Sequence, residues 1–334
     1  MIDTWLRGDE GIAIRDEASI SEAREEVRGV AARLGLSLEI GATMATATSE
    51  LAYNQLKHAR SGEIVIREIE RDGVAGIEIV AADRGAGIED PEHSLRGTGS
   101  SSGGLGVGLH AVRALADEVD FDVRLGEGTC VWARKFATHV RRRREVGILG
   151  RPHPDERISG DHAAFVRSSD SLAVAVADGL GHGRLARAAS AVAITRFVEN
   201  AHCAEDEIFE ICHSSLRETR GAVMAVAHVA EPDGATSTAS VGNVSAYMCG
   251  PSISQRFGGA SFVLGSPGQL RPPRTDHATL TPRDAMLLFS DGINSRAQCD
   301  KRIDLLREHP IVIAQTIMKE FGRDDDDVIV FAMR

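Results

Sequence analysis

The sequence predicts an α+β protein with two domains, each formed by helices packed against a largely antiparallel sheet. Its 334 residues are enough for about two domains of ordinary size. Segments with apolar residues at helical spacing alternate with short strand-like runs, as expected for this class. Between the halves, four consecutive arginines at 141–144 interrupt the pattern. We therefore expect domains over 1–137 and 146–334, joined by a basic linker over 138–145.

Local signals place the elements of the first half. A capping box at 19–22 begins a helix whose apolar residues continue to Leu34 at helical spacing. Alternating apolar residues predict two strands that lead into a glycine-rich loop. The order is a strand at 12–15, helices at 19–34 and 40–59, strands at 63–70 and 76–82, the loop at 84–104, a helix at 105–116 and two closing strands.

The second half is richer in strands. Turns of Gly, Pro and Ser separate short apolar runs between residues 222 and 289. The other predicted elements are strands at 163–166 and 172–177, helices at 185–200 and 205–217, a helix at 310–321 and a last strand at 328–333.

The composition excludes several classes of protein. Apolar residues make up 43% of the chain, which is ordinary for a globular protein and rules out a disordered one. A net charge of −11 and an aromatic content of only 4% argue against a nucleic-acid partner. No apolar run approaches the roughly 20 residues of a membrane span, and the N-terminus lacks a secretory signal, so we expect a cytoplasmic protein without a membrane partner. The five scattered cysteines predict reduced thiols and no zinc site.

Three motifs in the first half indicate a nucleotide site. Glu50 and Asn54 share one face of the second helix, where a carboxylate can activate a nucleophile and an amide oxygen can bind Mg²⁺. Asp83 ends an apolar strand and begins D-x-G-x-G, a pattern in which the acid can accept a hydrogen bond from adenine while glycines approach the base. The glycine-dense segment 103–108 opens a helix, where backbone amides suit phosphate oxygens. Each motif alone also fits an exposed helix face or a tight turn.

The order E-x-x-x-N, D-x-G-x-G and G-x-G-x-G resembles the GHKL ATPases, a family that includes gyrase, histidine kinases and MutL. The segment 126–129 is similar to the last box of that family. Within the family, the segments 49–59 and 103–120 resemble the anti-sigma-factor serine kinases of the RsbT type. The resemblance covers about residues 10–137 and implies a GHKL (Bergerat) α/β sandwich. A stand-alone histidine kinase is disfavoured, because the first histidine, His58, lies on the nucleotide helix itself.

The resemblance implies a role for each residue that matches a motif. Glu50 would be the catalytic base, Asn54 would bind Mg²⁺, and Asp83 would accept a hydrogen bond from the adenine of ATP. The remaining contacts with ATP would come from Gly85, Gly87, Gly104, Gly106, Gly108 and Thr129.

Acidic residues in the second half recur in short motifs. Asp178 and Asp291 abut apolar strands, as does the acidic run at 324–327, and Asp161 precedes them in a Ser-Gly-Asp sequence. Carboxylates at neighbouring strand ends would meet at one edge of a sheet, where their repulsion requires a cation. Oxygen ligands favour Mg²⁺ or Mn²⁺, and two such ions can activate a water for attack on a phosphoester. A single acid of this kind is more often a turn residue, so the prediction depends on the whole set.

This order of motifs resembles the metal-dependent, protein phosphatase 2C-like (PPM) Ser/Thr phosphatases, and within them the SpoIIE/RsbX branch. The resemblance covers about residues 146–334 and implies a PPM-type β-sandwich flanked by helices. Asp178 would bridge two ions of Mn²⁺ or Mg²⁺, with the carbonyl of Gly179 as a further ligand. Asp161, Asp291 and one late aspartate would complete the set.

The late motif departs from the family pattern. It usually reads D-D-x-T, whereas no Thr follows the acids here. We assign Asp325 as the ligand and keep Asp324 and Asp326 as open alternatives. His182 is expected to stabilise its loop rather than to bind metal.

The two resemblances together predict a bifunctional partner-switching regulator. The first domain would phosphorylate a Ser or Thr of a STAS-domain partner, and the second would remove phosphate from the same or a related partner. A sigma factor or a downstream phosphatase is a further possible partner, and no oligomeric state is predicted. The alternative is an ATP-binding module that sequesters a sigma factor or STAS protein and carries a regulatory or degenerate phosphatase. Glu50 favours catalysis, because nucleotide binding alone needs only Asn54, Asp83 and the lid.

Overall fold

The computed structural model describes residues 2–59, 61–97, 108–299 and 302–334. The chain divides into two compact units, 1–145 and 146–334. Each unit combines helices with mainly antiparallel sheet, which confirms the predicted α+β class. No helix in the described part of the chain has both the length and the apolar character needed to cross a membrane.

In the first unit, helices cover a sheet with the strand order β1-β2-β3-β5-β4. Helices α2 and α3 pack on each other and on strands β2 and β3. The buried residues of α3 recur every three or four positions, as expected for a helix that rests on a sheet. The elements are α1 (Ile2–Leu6), β1 (Ile12–Ile14), α2 (Glu17–Arg33), α3 (Leu38–His58), β2 (Gly62–Arg71), β3 (Val74–Asp83), α4 (Pro91–Arg96), α5 (Gly108–Leu115), β4 (Glu118–Arg124) and β5 (Gly128–Phe136).

Two local signals in the first unit differ from the prediction. The capping box of α2 lies upstream of 19–22, because the N–H of Ser19 donates to Asp16 at 2.8 Å and the Asp16 N–H donates to the Ser19 hydroxyl at 3.1 Å. An acid cap is at least as favourable as serine here, so the helix begins earlier. The glycine-rich loop also contains α4, which Asp90 caps and Pro91 begins.

The second unit contains two sheets with the orders β6-β15-β14-β11-β12 and β13-β10-β9-β8-β7. They contact each other through β14 and β15 on one side and β7 and β8 on the other, while α6 covers β7 and β8 and α8 covers β6 and β15. This arrangement confirms the predicted β-sandwich flanked by helices. The elements are β6 (Val146–Arg151), β7 (Asp161–Arg167), β8 (Ser171–Gly179), α6 (Gly183–Glu199), α7 (Glu205–Ser215), β9 (Ala222–Ala230), β10 (Ala235–Val241), β11 (Ser245–Cys249), β12 (Ser254–Phe257), β13 (Asp276–Thr279), β14 (Ala285–Phe289), a 3₁₀ turn (Leu305–Arg307), α8 (Pro310–Phe321) and β15 (Val328–Met333).

The cysteines differ in part from the expectation of reduced thiols. Cys249, at the end of β11, forms a disulfide with Cys299, and their Cα atoms are 6.0 Å apart. The two residues are 50 positions apart in sequence, so only the tertiary fold brings them together. Cys130, Cys203 and Cys212 are free thiols, as predicted.

Candidate functional site

The first unit contains a cavity of about 410 Å³ between the C-terminal half of α3, the end of β3 and α4. A second cavity, of about 440 Å³, lies near the N-terminal end of α3, and no predicted site residue lines it. The first cavity brings together most residues that the sequence assigned to ATP. Those that line it are Asn54, Asp83, Gly85, Gly87, Gly108 and Thr129.

Asp83 is the polar centre of this cavity. Burial raises the pKa of its carboxyl group, and hydrogen bonds from the backbone N–H groups of Gly85 and Thr129 partly offset that effect. The Gly85 N–H lies 2.7 Å from Oδ1. The carboxylate is therefore held in one orientation by the loop that follows β3 and by the start of β5, and it can accept a hydrogen bond from a base in the cavity.

The glycines beside Asp83 have steric reasons to be glycine. A Cβ atom on Gly85 would lie 2.9 Å from both the Asp83 Oδ1 and the Cβ of Ala59. Gly87 has a φ of +79°, and a Cβ there would lie 2.8 Å from the carbonyl oxygen of Arg124. Because neither glycine has a side chain, the backbone here packs closely against the residues behind it, and no side chain takes up space in the cavity.

Glu50 lies one turn before Asn54 on α3, and its side chain faces the beginning of α5. Its Oε2 accepts a hydrogen bond from the Gly108 N–H at 3.2 Å. Gly104 and Gly106, the other predicted lid contacts, lie outside the described residues. The described geometry thus joins the Glu50 carboxylate to the first residue of the helix that follows the lid.

Sequence reasoning missed Gln55, which also lines the cavity. Its side-chain amide is buried and donates to the carbonyl oxygens of Glu63 and Ala82, both at 3.1 Å. Glu63 and Ala82 are paired across β2 and β3, so the amide fastens the end of this strand pair next to Asp83. The signal was present in the sequence as a polar residue on the buried face of α3, at the spacing of Leu51 and Ala52.

In the second unit, the sheet register brings two predicted metal ligands together. Asp161 begins β7 and Asp178 lies near the end of β8, and they are direct partners in the antiparallel pair. Asp291 follows β14, and its Oδ2 accepts a hydrogen bond from the Asn243 side chain at 2.6 Å. Gly179 is packed so closely against the backbone of Ala186 that no side chain fits there.

The electrostatics of these acids show that they are close neighbours. Burial, followed by the charges of Asp161, Asp291 and Asp326, raises the pKa of Asp178 to about 9. Burial also raises the pKa of Asp161 well above its ordinary value, against the effect of a hydrogen bond from Ser290. Removal of the like-charge repulsion requires either protons or a cation.

The four consecutive aspartates at 324–327 differ in how far each side chain is buried. Asp324 is fully exposed and lies 3.8 Å from Arg151, and Asp325 is exposed as well. Asp326 is half-buried, and burial and the charge of Asp291 raise its pKa. Asp327, which was not among the predicted ligands, is buried, and its charge also acts on Asp178. The inward-facing members of the run are therefore Asp326 and Asp327.

These residues fit a divalent-ion site by their chemistry. Their donor atoms are carboxylate oxygens, and the buried Oδ2 atoms of Asp161 and Asp327 have no hydrogen-bond partner in the described part of the chain. Among the described residues, no group of three His, Cys, Asp or Glu side chains already has a metal-binding arrangement. Uncompensated carboxylates repel one another, so we expect them to move closer when a cation binds.

Comparisons with known proteins match the two halves separately. The family described as the histidine kinase-like ATPase domain matches residues 14–135, and the stage II sporulation protein E (SpoIIE) family matches residues 168–334. These matches confirm both resemblances seen in the sequence.

Two curated relatives from Bacillus subtilis (strain 168) correspond to the two halves. The serine/threonine-protein kinase RsbT is 39% identical over 37% of this chain and 94% of its own length. The phosphoserine phosphatase RsbX is 34% identical over 41% of this chain and 68% of its own length. A crystal structure of RsbX in complex with magnesium superposes with a TM-score of 0.50 at 23% identity, over 58% of this chain and 96% of the other, which shows a shared fold.

Proposed function

Since the chain belongs to the histidine kinase-like ATPase family in its first half and to the SpoIIE family in its second, we propose that it is a bifunctional partner-switching regulator. The domain at 1–137 would phosphorylate a serine or threonine of a protein partner. The domain at 146–334, joined to it by the linker 138–145, would remove phosphate from a phosphoserine or phosphothreonine. The names of RsbT and RsbX, a kinase and a phosphatase, support this division of activities.

In the kinase step, Asp83 would hold the adenine of ATP and Asn54 would provide an oxygen ligand for Mg²⁺. Bound Mg²⁺ would offset the negative charge of the phosphates. Glu50 would take the proton of the acceptor hydroxyl, which requires that its carboxylate leave or share its hydrogen bond with the Gly108 N–H.

In the phosphatase step, we assign Asp161, Asp178, Asp291 and Asp326 as ligands of two ions of Mg²⁺ or Mn²⁺, with Gly179 contributing its carbonyl. Asp326 replaces Asp325 in this assignment, because it is half-buried and lies within electrostatic reach of Asp178. The ions would supply positive charge to the phosphate and acidify a water. The magnesium in the RsbX structure supports a hard divalent ion at such a site.

The observation that carries the proposal is that the predicted motifs converge in space in both units. Asn54, Asp83 and the described glycines line one cavity, and acids from the ends of β8 and β14 and the start of β7 lie close together. Motifs that matched by chance would be scattered over the surface. By its resemblance to anti-sigma-factor kinases, the chain would act on a STAS-domain antagonist, with a sigma factor or a downstream phosphatase as further partners.

One contact favours a second candidate function for the first unit. Because the Glu50 carboxylate already accepts the Gly108 N–H, it can serve to position the start of α5 instead of activating a hydroxyl. The unit would then bind ATP and sequester a sigma factor or STAS protein without transferring phosphate, and the phosphatase half would be regulatory or degenerate.

Phosphate transfer to candidate STAS-domain proteins tests the kinase proposal. The full chain is incubated with γ-labelled ATP, Mg²⁺ and each partner, and label in the partner is measured. We expect transfer by the wild type, none by Asn54→Ala, and unchanged transfer by Thr46→Ala, an exposed position on the same helix. Tight ATP-dependent binding of the partner without transfer would favour the second candidate, and full transfer by Asn54→Ala would remove the kinase assignment.

Hydrolysis of p-nitrophenyl phosphate with Mn²⁺ tests the phosphatase proposal. Asp178→Asn should abolish turnover, whereas Asp324→Asn, at the exposed end of the acidic run, should leave it unchanged. Turnover that survives in Asp178→Asn at the wild-type rate would reject the assigned metal site.

A further inference from the structure

We propose that Asp327 is an additional ligand for the divalent ions of the second unit, beyond the set that the family motifs assign. The proposal rests on the proposed phosphatase function, since it concerns the same ions. It adds a carboxylate from the first residue before β15, where the D-D-x-T pattern of the family, aligned on Asp325 and Asp326, provides no ligand.

The first argument is the state of the Asp327 carboxylate. Its side chain is buried, with 3% of the residue's surface exposed. Oδ1 accepts a hydrogen bond from the His153 N–H at 2.8 Å, whereas Oδ2 is fully enclosed and has no hydrogen-bond partner among the described residues. A buried carboxylate with one unpaired oxygen is costly, so this half of the group is suited to a positively charged ligand.

The second argument is the direction of Oδ2. A Cβ atom built on Gly160 would lie 2.9 Å from it, so the oxygen points at the backbone that leads directly into Asp161. Among the residues that the structure describes, the Asp161 Oδ2 is the other buried carboxylate oxygen without a hydrogen-bond partner. The Asp327 Oδ2 thus lies beside the residue that precedes Asp161, and a larger residue than Gly160 would push it away.

The third argument is that the backbone is shaped to admit this acid. A Cβ atom on Gly292, next to the ligand Asp291, would collide with the carbonyl oxygen of Asp327. The absence of side chains at 160 and 292 therefore allows the residue to approach both neighbouring ligand loops. The charge of Asp327 reaches Asp161 and Asp178, where it adds to the effect of burial in raising both pKa values.

The competing explanation is that Asp327 has a purely structural role. That role would depend on Oδ1, which contacts the His153 N–H, and not on Oδ2. If Asp327 served only to fasten the His153 loop, the Oδ1 contact would be sufficient and the charge would be unnecessary. Asp327→Asn keeps an acceptor for the His153 N–H but removes the negative charge. The two explanations therefore predict different metal binding by this variant.

The experiment measures Mn²⁺ binding by the full chain after treatment with EDTA, by titration calorimetry and by the electron paramagnetic resonance signal of free Mn²⁺. We expect Asp327→Asn to bind at least tenfold more weakly at one ion, or to bind one ion fewer, while it unfolds in EDTA at or above the wild-type temperature. Asp324→Asn is the matched control and should bind like the wild type. If Asp327→Asn proves poorly folded, Asp327→Thr removes the charge and keeps a side-chain oxygen, and the same loss is expected.

Unchanged affinity and stoichiometry in the folded Asp327→Asn chain would overturn this proposal. Loss of Mn²⁺ binding in Asp178→Asn in the same series would show that the assigned site itself stands. A wild-type chain that binds no Mn²⁺ would instead overturn both the ligand assignment and the proposed phosphatase function.

Discussion

Asp178→Asn should make the metal-free protein more stable at neutral pH, although it should abolish phosphatase activity. In the folded chain, burial and the charges of Asp161, Asp291 and Asp326 raise the pKa of Asp178 from 3.8 to about 9. At pH 7 the folded protein must therefore hold a proton that the unfolded chain has already lost. Asparagine is neutral in both states, so the variant avoids this cost.

The size and the pH range of the effect follow from these two pKa values. Each pH unit between them costs about 1.4 kcal/mol of the free energy of unfolding, so roughly 4 kcal/mol is the upper limit at pH 7. Because neighbouring acids share the excess charge, we expect a gain of about 1–3 kcal/mol, and about 2–4 °C in Tm for each kcal/mol. Below about pH 4 the carboxyl is protonated in both states and the gain disappears. It grows as the pH rises and becomes constant above about pH 9.

The assay is thermal unfolding of the full chain in EDTA at several pH values between 4 and 8.5. Asp324→Asn, whose carboxylate is fully exposed, is the control and should follow the wild type. Added Mn²⁺ should raise the Tm of the wild type, because its native state has all the proposed metal ligands. The Tm of Asp178→Asn, which lacks one of them, should remain nearly unchanged. A variant that is less stable than the wild type in EDTA, or a difference that does not depend on pH, would refute the reasoning.

Three further predictions concern single side chains. Burial would raise the pKa of Glu205, but hydrogen bonds from His228 and Ser237 outweigh that effect and lower the pKa from 4.5 to about 2. The charged form therefore stabilises the fold, and Glu205→Gln should reduce the free energy of unfolding by about 1–3 kcal/mol at pH 7. That difference should shrink as the pH falls from about 4.5 to 2, which urea unfolding at pH 7 and pH 3 can measure. Gln55→Leu removes the two hydrogen bonds that the side-chain amide donates to the carbonyl oxygens of Glu63 and Ala82. Calorimetry should therefore show weaker ATP binding, and denaturation should show a loss of about 1–3 kcal/mol. Gly85→Ala should weaken ATP binding at least tenfold with little loss of secondary structure by circular dichroism, because the methyl group would crowd the Asp83 carboxylate, the proposed adenine acceptor.

The sequence was most informative where a motif lies within one element or at its end. Glu50 and Asn54 share a face of α3 because residues four apart do so in any helix. The strand ends that carry Asp83 and Asp178 were predictable, since apolar alternation stops at each of them. The α+β class and the two families followed from this local order and are confirmed by the structure and the comparisons.

The sequence could not show which members of a run of like residues face inward. The four consecutive aspartates have the same side chain, so the sequence offers several equivalent choices. They lie in the turn before β15, where no regular alternation of faces applies, and the path of that turn leaves Asp325 exposed, Asp326 half-buried and Asp327 buried. The Cys249–Cys299 disulfide and the partners of Gln55 were missed for another reason, because those partners come from distant segments of the chain.

The two sites deal with buried negative charge in different ways, and this has a consequence for how each unit responds to its ligand. At the nucleotide site, the N–H groups of Gly85 and Thr129 partly offset the burial of Asp83, so the protein itself compensates much of the charge. At the acid cluster, Asp178 is surrounded by further carboxylates, and the compensation must come from protons or cations. Divalent ions should therefore relieve charge repulsion in the second unit when they bind and stabilise it, whereas no comparable repulsion surrounds Asp83 for ATP to relieve in the first unit.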